Sequence, residues 1–173
     1  MKAMGDAPQI LIIMGSDSDL QVMEEAAGVL RKFGIAFEMR ISSAHRSPAR
    51  TMALAAEAAG RGIKAIIAGA GMAAHLAGVV AAKTTLPVIG VPMPGGALNG
   101  VDALYSTVQM PGGIPVATMA IGKAGARNAG LFVVQILALC DERLADALND
   151  YRREMENEVE RKDAALRATG REA

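Results

Sequence analysis

The chain contains two histidines, and each follows closely on a segment that the sequence predicts to be a strand. His45 stands in a polar turn at residues 42–48, and His75 ends a run of small residues at 71–75. Histidine accepts and donates protons near neutral pH, so the pair is a candidate for acid/base chemistry. A single loop histidine is more often an ordinary surface residue, and a metal site would need a third ligand, which no recognisable spacing supplies. We therefore expect proton transfer here and no bound metal.

Residues 15–19 (GSDSD) join a buried apolar run to the start of a helix. Amides at the positive end of a helix favour anions, and serine hydroxyls add further donors. The carboxylates disfavour a lone phosphate and fit a ribose, whose hydroxyls donate to them. Plain N-capping is the competing explanation, because Ser18 and Gln21 have the form of a capping box. Arg46, near the next helix start, would supply the fixed charge that a phosphate needs.

Residues 69–74 (GAGMAA) match the dinucleotide fingerprint G-x-G-x-x-G/A in form only. They follow the third predicted strand, and residues 89–91 (IGV) offer no acidic side chain for a ribose. We interpret the segment as a backbone cradle for a smaller anionic group such as a carboxylate. A Walker A motif, H-E-x-x-H, C-x-x-C and G-x-S-x-G are all missing, so ATP hydrolysis, zinc proteolysis and acyl-serine chemistry are unsupported.

The elements that must position these residues alternate between strand and helix. Bounded apolar runs predict five strands, at 9–14, 36–41, 65–68, 87–91 and 115–119. Helical spacing predicts helices from 18 to about 34, from 48 to about 61, after 71 to about 83, and from 124 to 140.

This alternation predicts right-handed βαβ units, and therefore a parallel sheet with helices on both faces. Five strands in this length favour the flavodoxin-like order 2-1-3-4-5, which periodicity alone leaves open. Ligands bind beyond the carboxyl ends of the strands in such sheets. That rule selects four loops, at 15–19, 42–48, 69–75 and 92–100.

Composition narrows the class of protein. The 173 residues are 51% hydrophobic and 21% charged, with equal numbers of basic and acidic side chains. This balance gives no support for nucleic-acid binding, and the apolar runs are too short to span a bilayer. The lone Cys140 excludes a disulfide framework and a cysteine-based zinc site. The first residues lack the apolar region of a signal peptide, which predicts a cytoplasmic protein.

We expect a single domain over residues 1–173, with a core at about 9–140, a charged helical arm at about 141–163 and a frayed tail at 164–173. The core region carries few charges for the surface of a monomer. The arm carries an apolar stripe at helical spacing, formed by Leu144, Leu148, Tyr151, Met155 and Val159. Both features predict burial against other copies of the chain.

Four motifs in order, GSDSD, SAHRSP, GAGMAAHLAG and VQMPGGIPVAT, resemble the bacterial carboxyaminoimidazole ribonucleotide mutases, and the resemblance covers about residues 10–150. It implies an isomerase of de novo purine (IMP) biosynthesis that moves a carboxylate from the exocyclic nitrogen of an aminoimidazole ribonucleotide to ring carbon 4. It also implies a flavodoxin-like three-layer α/β/α sandwich, a homo-octamer, and no ATP, metal or organic cofactor.

The resemblance also implies roles for individual residues. His45 resembles the general acid/base, Ser16 and Asp19 the binders of the ribose and phosphate end, and Ser43 and Arg46 the holders of the phosphate. The pocket for the migrating carboxylate would be lined by Gly71, Ala73, Ala74, His75 and Leu76.

Two other functions stay open at this point. Related carboxylases that use free carbon dioxide typically carry Lys after the histidine and an Arg-Ser pair in the later loop. Arg46 and Ala73-Ala74 favour the mutase instead. A non-catalytic flavodoxin-like nucleotide-binding module is the third possibility, but it would give no reason for His45 to stand in this loop.

Overall fold

The computed structural model describes residues 7–169 of the chain, and a five-stranded sheet lies at its centre. The strands are β1 (Ile10–Met14), β2 (Phe37–Ile41), β3 (Ala65–Ala70), β4 (Val88–Pro92) and β5 (Ala117–Thr118). They pair in the order β2-β1-β3-β4-β5, and every pair is parallel. The predicted sheet and strand order are therefore confirmed.

Six α-helices follow or connect these strands within residues 7–169. They are α1 (Leu20–Lys32), α2 (Pro48–Ala58), α3 (Leu76–Ala81), α4 (Val101–Val108), α5 (Lys123–Ala138) and α6 (Glu142–Ala168). Short 3₁₀ turns at Asp17–Asp19 and Ala59–Arg61 complete the regular structure in this range. No helix of the described residues is both long and apolar enough to cross a bilayer.

The central strands are buried because helices cover both faces of the sheet. Every residue of β1 is buried, and Leu11 and Ile13 pack in one cluster with residues of α2 and α3. On the other face α1 lies so close that a Cβ added to Gly69 would stand 2.5 Å from the sulfur of Met23. Continuous apolar runs such as QILIIM are typical of strands covered on both faces.

The strand register brings the predicted ligand loops to one edge. Met14, the last residue of β1, pairs with Ile41 of β2 and with Gly69 of β3. Ala70 at the end of β3 pairs with Pro92 at the end of β4. Because parallel strands end at the same side, the loops that begin after these four strands leave together.

Several helix limits differ from the prediction. The predicted capping box at Ser18 and Gln21 is wrong: the Ser18 amide donates to the Ser16 hydroxyl, and the Ser16 amide donates to the Asp19 carboxylate. A 3₁₀ turn therefore precedes α1, which begins at Leu20. Helix α3 ends at Ala81 rather than near 83, and α5 ends at Ala138 rather than at 140.

Helix α4 is absent from the sequence prediction. Its apolar residues follow helical spacing, but Val101, Tyr105 and Val108 are exposed and only Ala103 and Thr107 are buried. Gly100 precedes it in a left-handed conformation, and residues 93–96 before it read as a loop. Predicted strand 115–119 shrinks to β5, although the Met119 amide still donates to the Gly90 carbonyl at 2.9 Å.

The chain divides into two compact units, the first ending at Val133 and the second beginning at Val134. In the second unit α6 continues to Ala168, beyond the predicted end of the arm near 163. Asp141 caps α6, because its carboxylate accepts from the Arg143 amide at 3.0 Å. The end of the predicted frayed tail, residues 170–173, lies outside the described residues.

Candidate active site

A cleft of about 550 Å³ lies at the edge of the sheet where β1 to β4 end. All four loops selected from the sequence line it. The lining residues with chemically useful groups are Ser16, Ser18, Asp19, Ser43, His45, Arg46 and His75, and the rest are small or apolar. The cleft therefore combines hydroxyls, a carboxylate, a guanidinium and two imidazoles.

The two histidines contact each other across the cleft. Nε2 of His45 lies 2.8 Å from Nδ1 of His75, which is a hydrogen bond whose direction depends on the tautomers. The rings meet edge to face, with centroids 5.0 Å apart and planes at 83°. His45 follows β2 and His75 immediately precedes α3, so the sheet brings together residues thirty positions apart. The bond occupies one nitrogen of each ring and leaves the other for a ligand.

Arg46 connects the loop after β2 to the loop after β1. Its guanidinium donates to the carbonyl of Gly15 at 3.0 Å, and its amide donates to the Ser43 hydroxyl at 3.2 Å. Arg46 also lines an adjoining groove of about 480 Å³, which Arg50 borders as well. The Arg46 guanidinium therefore lines both the cleft and the groove, where it would attract an anionic group.

Asp19 stands beside this end of the cleft. Its carboxylate accepts from the Ser16 amide at 3.1 Å and from the Ser18 hydroxyl at 3.4 Å. Partial burial raises the pKa of the Asp19 carboxyl above its ordinary value, and these hydrogen bonds oppose the rise. The carboxylate that could accept ribose hydroxyls is therefore oriented by its own turn.

The loop after β3 is more tightly folded than the sequence predicted. The amide of Ala74 donates to the Met72 carbonyl at 2.8 Å, and the His75 amide donates to the Ala73 carbonyl at 2.8 Å. Internal bonds occupy these two amides, so only the earlier part of the loop can contribute amides to an anion cradle. Gly71, Ala73, His75 and the edge of Leu76 line the cleft, whereas Ala74 is buried and does not.

The loop after β4 closes the last side. Residues 93–96 line the cleft, and Gly95 and Gly96 adopt φ values of 136° and 64° that disfavour side chains. A Cβ at Gly71 would stand 3.2 Å from the Cβ of Met93, so the loops after β3 and β4 pack against each other.

Ser106 of α4 is a contributor that sequence reasoning missed. The Ala74 amide, which already donates to Met72, also donates to the Ser106 hydroxyl at 3.1 Å. The Ser106 hydroxyl in turn donates to the Asp102 carbonyl at 2.7 Å. It therefore ties the His75 loop to α4. Its partner on the helix is the main-chain carbonyl of residue 102, so no side-chain pattern indicates this contact without the helix.

The described residues contain no cluster of side chains that would support metal binding. Residues 7–169 contain no group of three or more His, Cys, Asp or Glu side chains arranged to hold an ion. The histidine pair thus remains a proton-transfer candidate.

Comparisons with known proteins identify a family and several relatives. Residues 9–158 match the family model described as AIR carboxylase. The chain is 57% identical over 145 residues to the N5-carboxyaminoimidazole ribonucleotide mutase of Bacillus subtilis, covering 84% of this chain and 90% of that protein. It is 53% identical to the mutase of Saccharolobus solfataricus, covering 88% of this chain and 95% of that protein.

Other matches extend the likeness to a larger protein and to a crystal structure. The chain is 53% identical to the phosphoribosylaminoimidazole carboxylase of Candida albicans, but it spans only 29% of that protein's length. The crystal structure of Treponema denticola PurE is 31% identical, covers 92% of this chain and 98% of that one, and superposes with a TM-score of 0.83. With a family match over most of its length, the chain belongs to the AIR carboxylase family.

Proposed function

We propose that this protein is an N5-carboxyaminoimidazole ribonucleotide mutase, an isomerase of purine biosynthesis. The observation that carries the proposal is the cleft in which His45, bonded to His75, lies next to Arg46. Such a cleft offers a proton carrier beside a cation, which is what an intramolecular carboxylate transfer on a nucleotide needs. The mutase names of the bacterial and archaeal relatives support the same activity.

The reaction balances with one proton carrier. His45 gives a proton to the exocyclic nitrogen, the carbamate bond breaks, and carbon dioxide and the amine are left in the cleft. Carbon 4 attacks the carbon dioxide and forms the new carbon–carbon bond. His45 then takes the proton from carbon 4, which restores the aromatic ring and regenerates the starting state. Since nothing is oxidised or hydrolysed, we propose that no ATP, metal or organic cofactor takes part.

The substrate's polar end would lie toward the loops after β1 and β2. Arg46 and Ser43 would hold the phosphate, with Ser16 beside them, and Asp19 would accept from the ribose hydroxyls. The adjoining groove supports this orientation, because Arg46 and Arg50 both line it and outnumber its one acidic residue, Asp17.

The migrating carboxylate would lie against the loop after β3, at Gly71, Ala73, His75 and Leu76. Their small and apolar side chains would limit the water around the released carbon dioxide, and confinement would keep it near carbon 4. Ala74, which is buried behind the loop, would act through the backbone that it fixes.

We also propose a homo-oligomer, an octamer by the family resemblance, formed by one-domain protomers. Support comes from α4, where Val101, Tyr105 and Val108 are 43%, 61% and 47% exposed on one helical face. In the second unit Met155 and Val159 of the apolar stripe are exposed as well. We place the enzyme in the cytoplasm, where a free, exposed thiol such as Cys140 stays reduced.

The test is to incubate the purified protein with N5-carboxyaminoimidazole ribonucleotide without ATP and to follow formation of the carbon-4 carboxylate. Rapid conversion is expected. A parallel reaction contains aminoimidazole ribonucleotide with bicarbonate. It is included because the fungal relatives are named carboxylases. Turnover only in the parallel reaction would reassign the protein as a carboxylase, and binding without turnover in either would make it a non-catalytic module.

A further inference from the structure

Three hydroxyls form a hydrogen-bonded chain beneath the turn that carries His45. The hydroxyls of Ser42 and Thr51 lie 2.8 Å apart, and their residues are 2% and 0% exposed. Thr51 donates to the Ser47 carbonyl at 3.2 Å, and the Ser47 hydroxyl donates to the Ser43 carbonyl at 3.1 Å. The Ser47 hydroxyl also accepts from the Ser43 amide at 3.0 Å. The hydroxyls of Ser47 and Thr51 thus each donate one hydrogen bond and accept one within this set of hydroxyls.

Ser47 is placed to cap a helix. It stands at the N-cap position of α2, and Pro48 opens that helix. The Ser47 hydroxyl makes no capping bond, however, and turns back to Ser43 instead. It braces the turn 43–47 rather than the helix.

The brace matters because burial does not hold His45 in place. Its side chain is exposed, so packing does not fix its position. The ring is held by the contact with His75 and by the main-chain turn from Ser43 to Ser47. The amide of Ser42 donates to the Met14 carbonyl at 2.8 Å, which anchors the start of the turn to β1.

We infer that Thr51, through Ser42 and Ser47, is a positioning residue that sets where the His45 imidazole stands. The inference rests on the proposed function, because only a catalytic His45 needs to be positioned. The hydrogen bonds among the three hydroxyls are the geometric observation behind it. Removing the Thr51 hydroxyl would leave the buried Ser42 hydroxyl without its close partner. The nearest replacement is the Ser47 hydroxyl at 3.4 Å, which Ser42 would draw away from Ser43.

The variants Thr51→Val and Thr51→Ser separate the hydroxyl from packing. The first keeps the shape and loses the hydrogen bond, whereas the second keeps the hydrogen bond and loses a buried methyl group. Thr107→Val is the matched control. Thr107 is also a buried helical threonine that donates to the carbonyl four residues earlier, at 2.7 Å, but its hydroxyl has no bond to the His45 turn.

Turnover of the carbamate substrate and unfolding by urea are measured for all three variants. We expect Thr51→Val to lower kcat roughly tenfold, since small displacements of a reacting group cost this much or more. Thr51→Ser and Thr107→Val should stay within about twofold of the unaltered protein despite reduced stability. Equal kcat in Thr51→Val and Thr107→Val would overturn the inference, as would failure of Thr51→Ser to retain activity.

Nitrogen NMR of the imidazoles gives a readout independent of turnover. The chain has only two histidines, so the ring signals are assigned with a single His45→Asn sample. Thr51→Val should shift the His45 Nε2 signal that reports the bond to His75, and Thr107→Val should leave it unchanged. Unmoved signals in Thr51→Val would overturn the inference.

If Thr51→Val does not fold, Ser47→Ala, at a partly exposed position, tests the same brace by removing its contact with Ser43. The same loss of kcat and shift of the His45 signal are expected, and their absence would again overturn the inference. A protein without mutase activity in any form would refute the proposed function, while the NMR shifts would still decide the positioning role.

Discussion

The hydrogen bond between the two imidazoles allows the proton carrier to be distinguished from its partner. His75→Phe keeps a ring of similar size and removes the Nδ1 atom that lies 2.8 Å from Nε2 of His45. Both histidines are exposed, so neither change should disturb the core. If His75 only orients His45, its loss should cost what a typical hydrogen bond contributes, about 0.5–1.5 kcal/mol.

That energy corresponds to a roughly two- to tenfold lower kcat/KM, since about 1.4 kcal/mol is a factor of ten. His45→Asn removes the acid/base itself, and proton transfer typically contributes ~10²–10⁴-fold. The substrate affinity of His45→Asn should stay within about tenfold, because binding rests on other groups. His75→Asn retains a hydrogen-bonding side chain and should lose less activity than His75→Phe.

The assay is formation of the carbon-4 carboxylate from the carbamate substrate without ATP, over a range of substrate concentrations. Binding of a substrate analogue is measured separately to show that the variants retain the cleft. A loss in His75→Phe as large as in His45→Asn would refute the assignment of His45 as sole proton carrier. Turnover near that of the unaltered protein in His45→Asn would refute its catalytic role altogether.

Three further predictions concern charge and assembly. Arg46→Ala should raise KM roughly 10- to 150-fold, because a charge-assisted hydrogen bond contributes about 1.5–3 kcal/mol. The same change should barely affect binding of the dephosphorylated nucleoside. Equal weakening of both ligands would show that Arg46 does not contact phosphate. Because the folded pKa of Asp19 is raised, its carboxyl favours the folded state in acid and loses this contribution as the pH rises through that pKa. Asp19→Asn should therefore gain stability relative to the unaltered protein on going from acidic to neutral pH in urea unfolding, and a constant difference would contradict the shift. Sedimentation equilibrium at micromolar concentration should give a mass several times 17.9 kDa, and deleting residues 151–173 should loosen the assembly or lower activity; a fully active monomer would contradict the proposed oligomer.

The sheet was predictable because its central strands are uniformly apolar. QILIIM and the run at 65–68 are buried on both faces, and glycine or polar residues mark their ends. The loops beyond those ends were then fixed by the general geometry of parallel sheets, which is why four loops selected from sequence all line one cleft.

The parts that escaped prediction depend on contacts between distant residues. Helix α4 is only eight residues long and lies between glycine-rich and proline-containing segments, so the helical spacing of Val101, Tyr105 and Val108 is too short a signal to separate from a loop. The bond between Ala74 and Ser106 needs that helix, and it was missed for the same reason. The direct contact of His45 with His75 depends on ring orientations that spacing does not determine.

The site gains its precision from the main chain rather than from packing. Arg46 and both imidazoles are exposed, and exposed side chains have many rotamers available. Each is restrained through its loop: hydroxyls brace the His45 turn, two tight turns and Ser106 brace the His75 loop, and Arg46 reaches back to Gly15. A cleft that must admit a charged nucleotide cannot bury these groups, because burial without substrate would leave their polar atoms unsatisfied. Buried hydroxyls beneath the loops provide the order that packing cannot, and this is why residues such as Thr51 matter to chemistry that they do not touch.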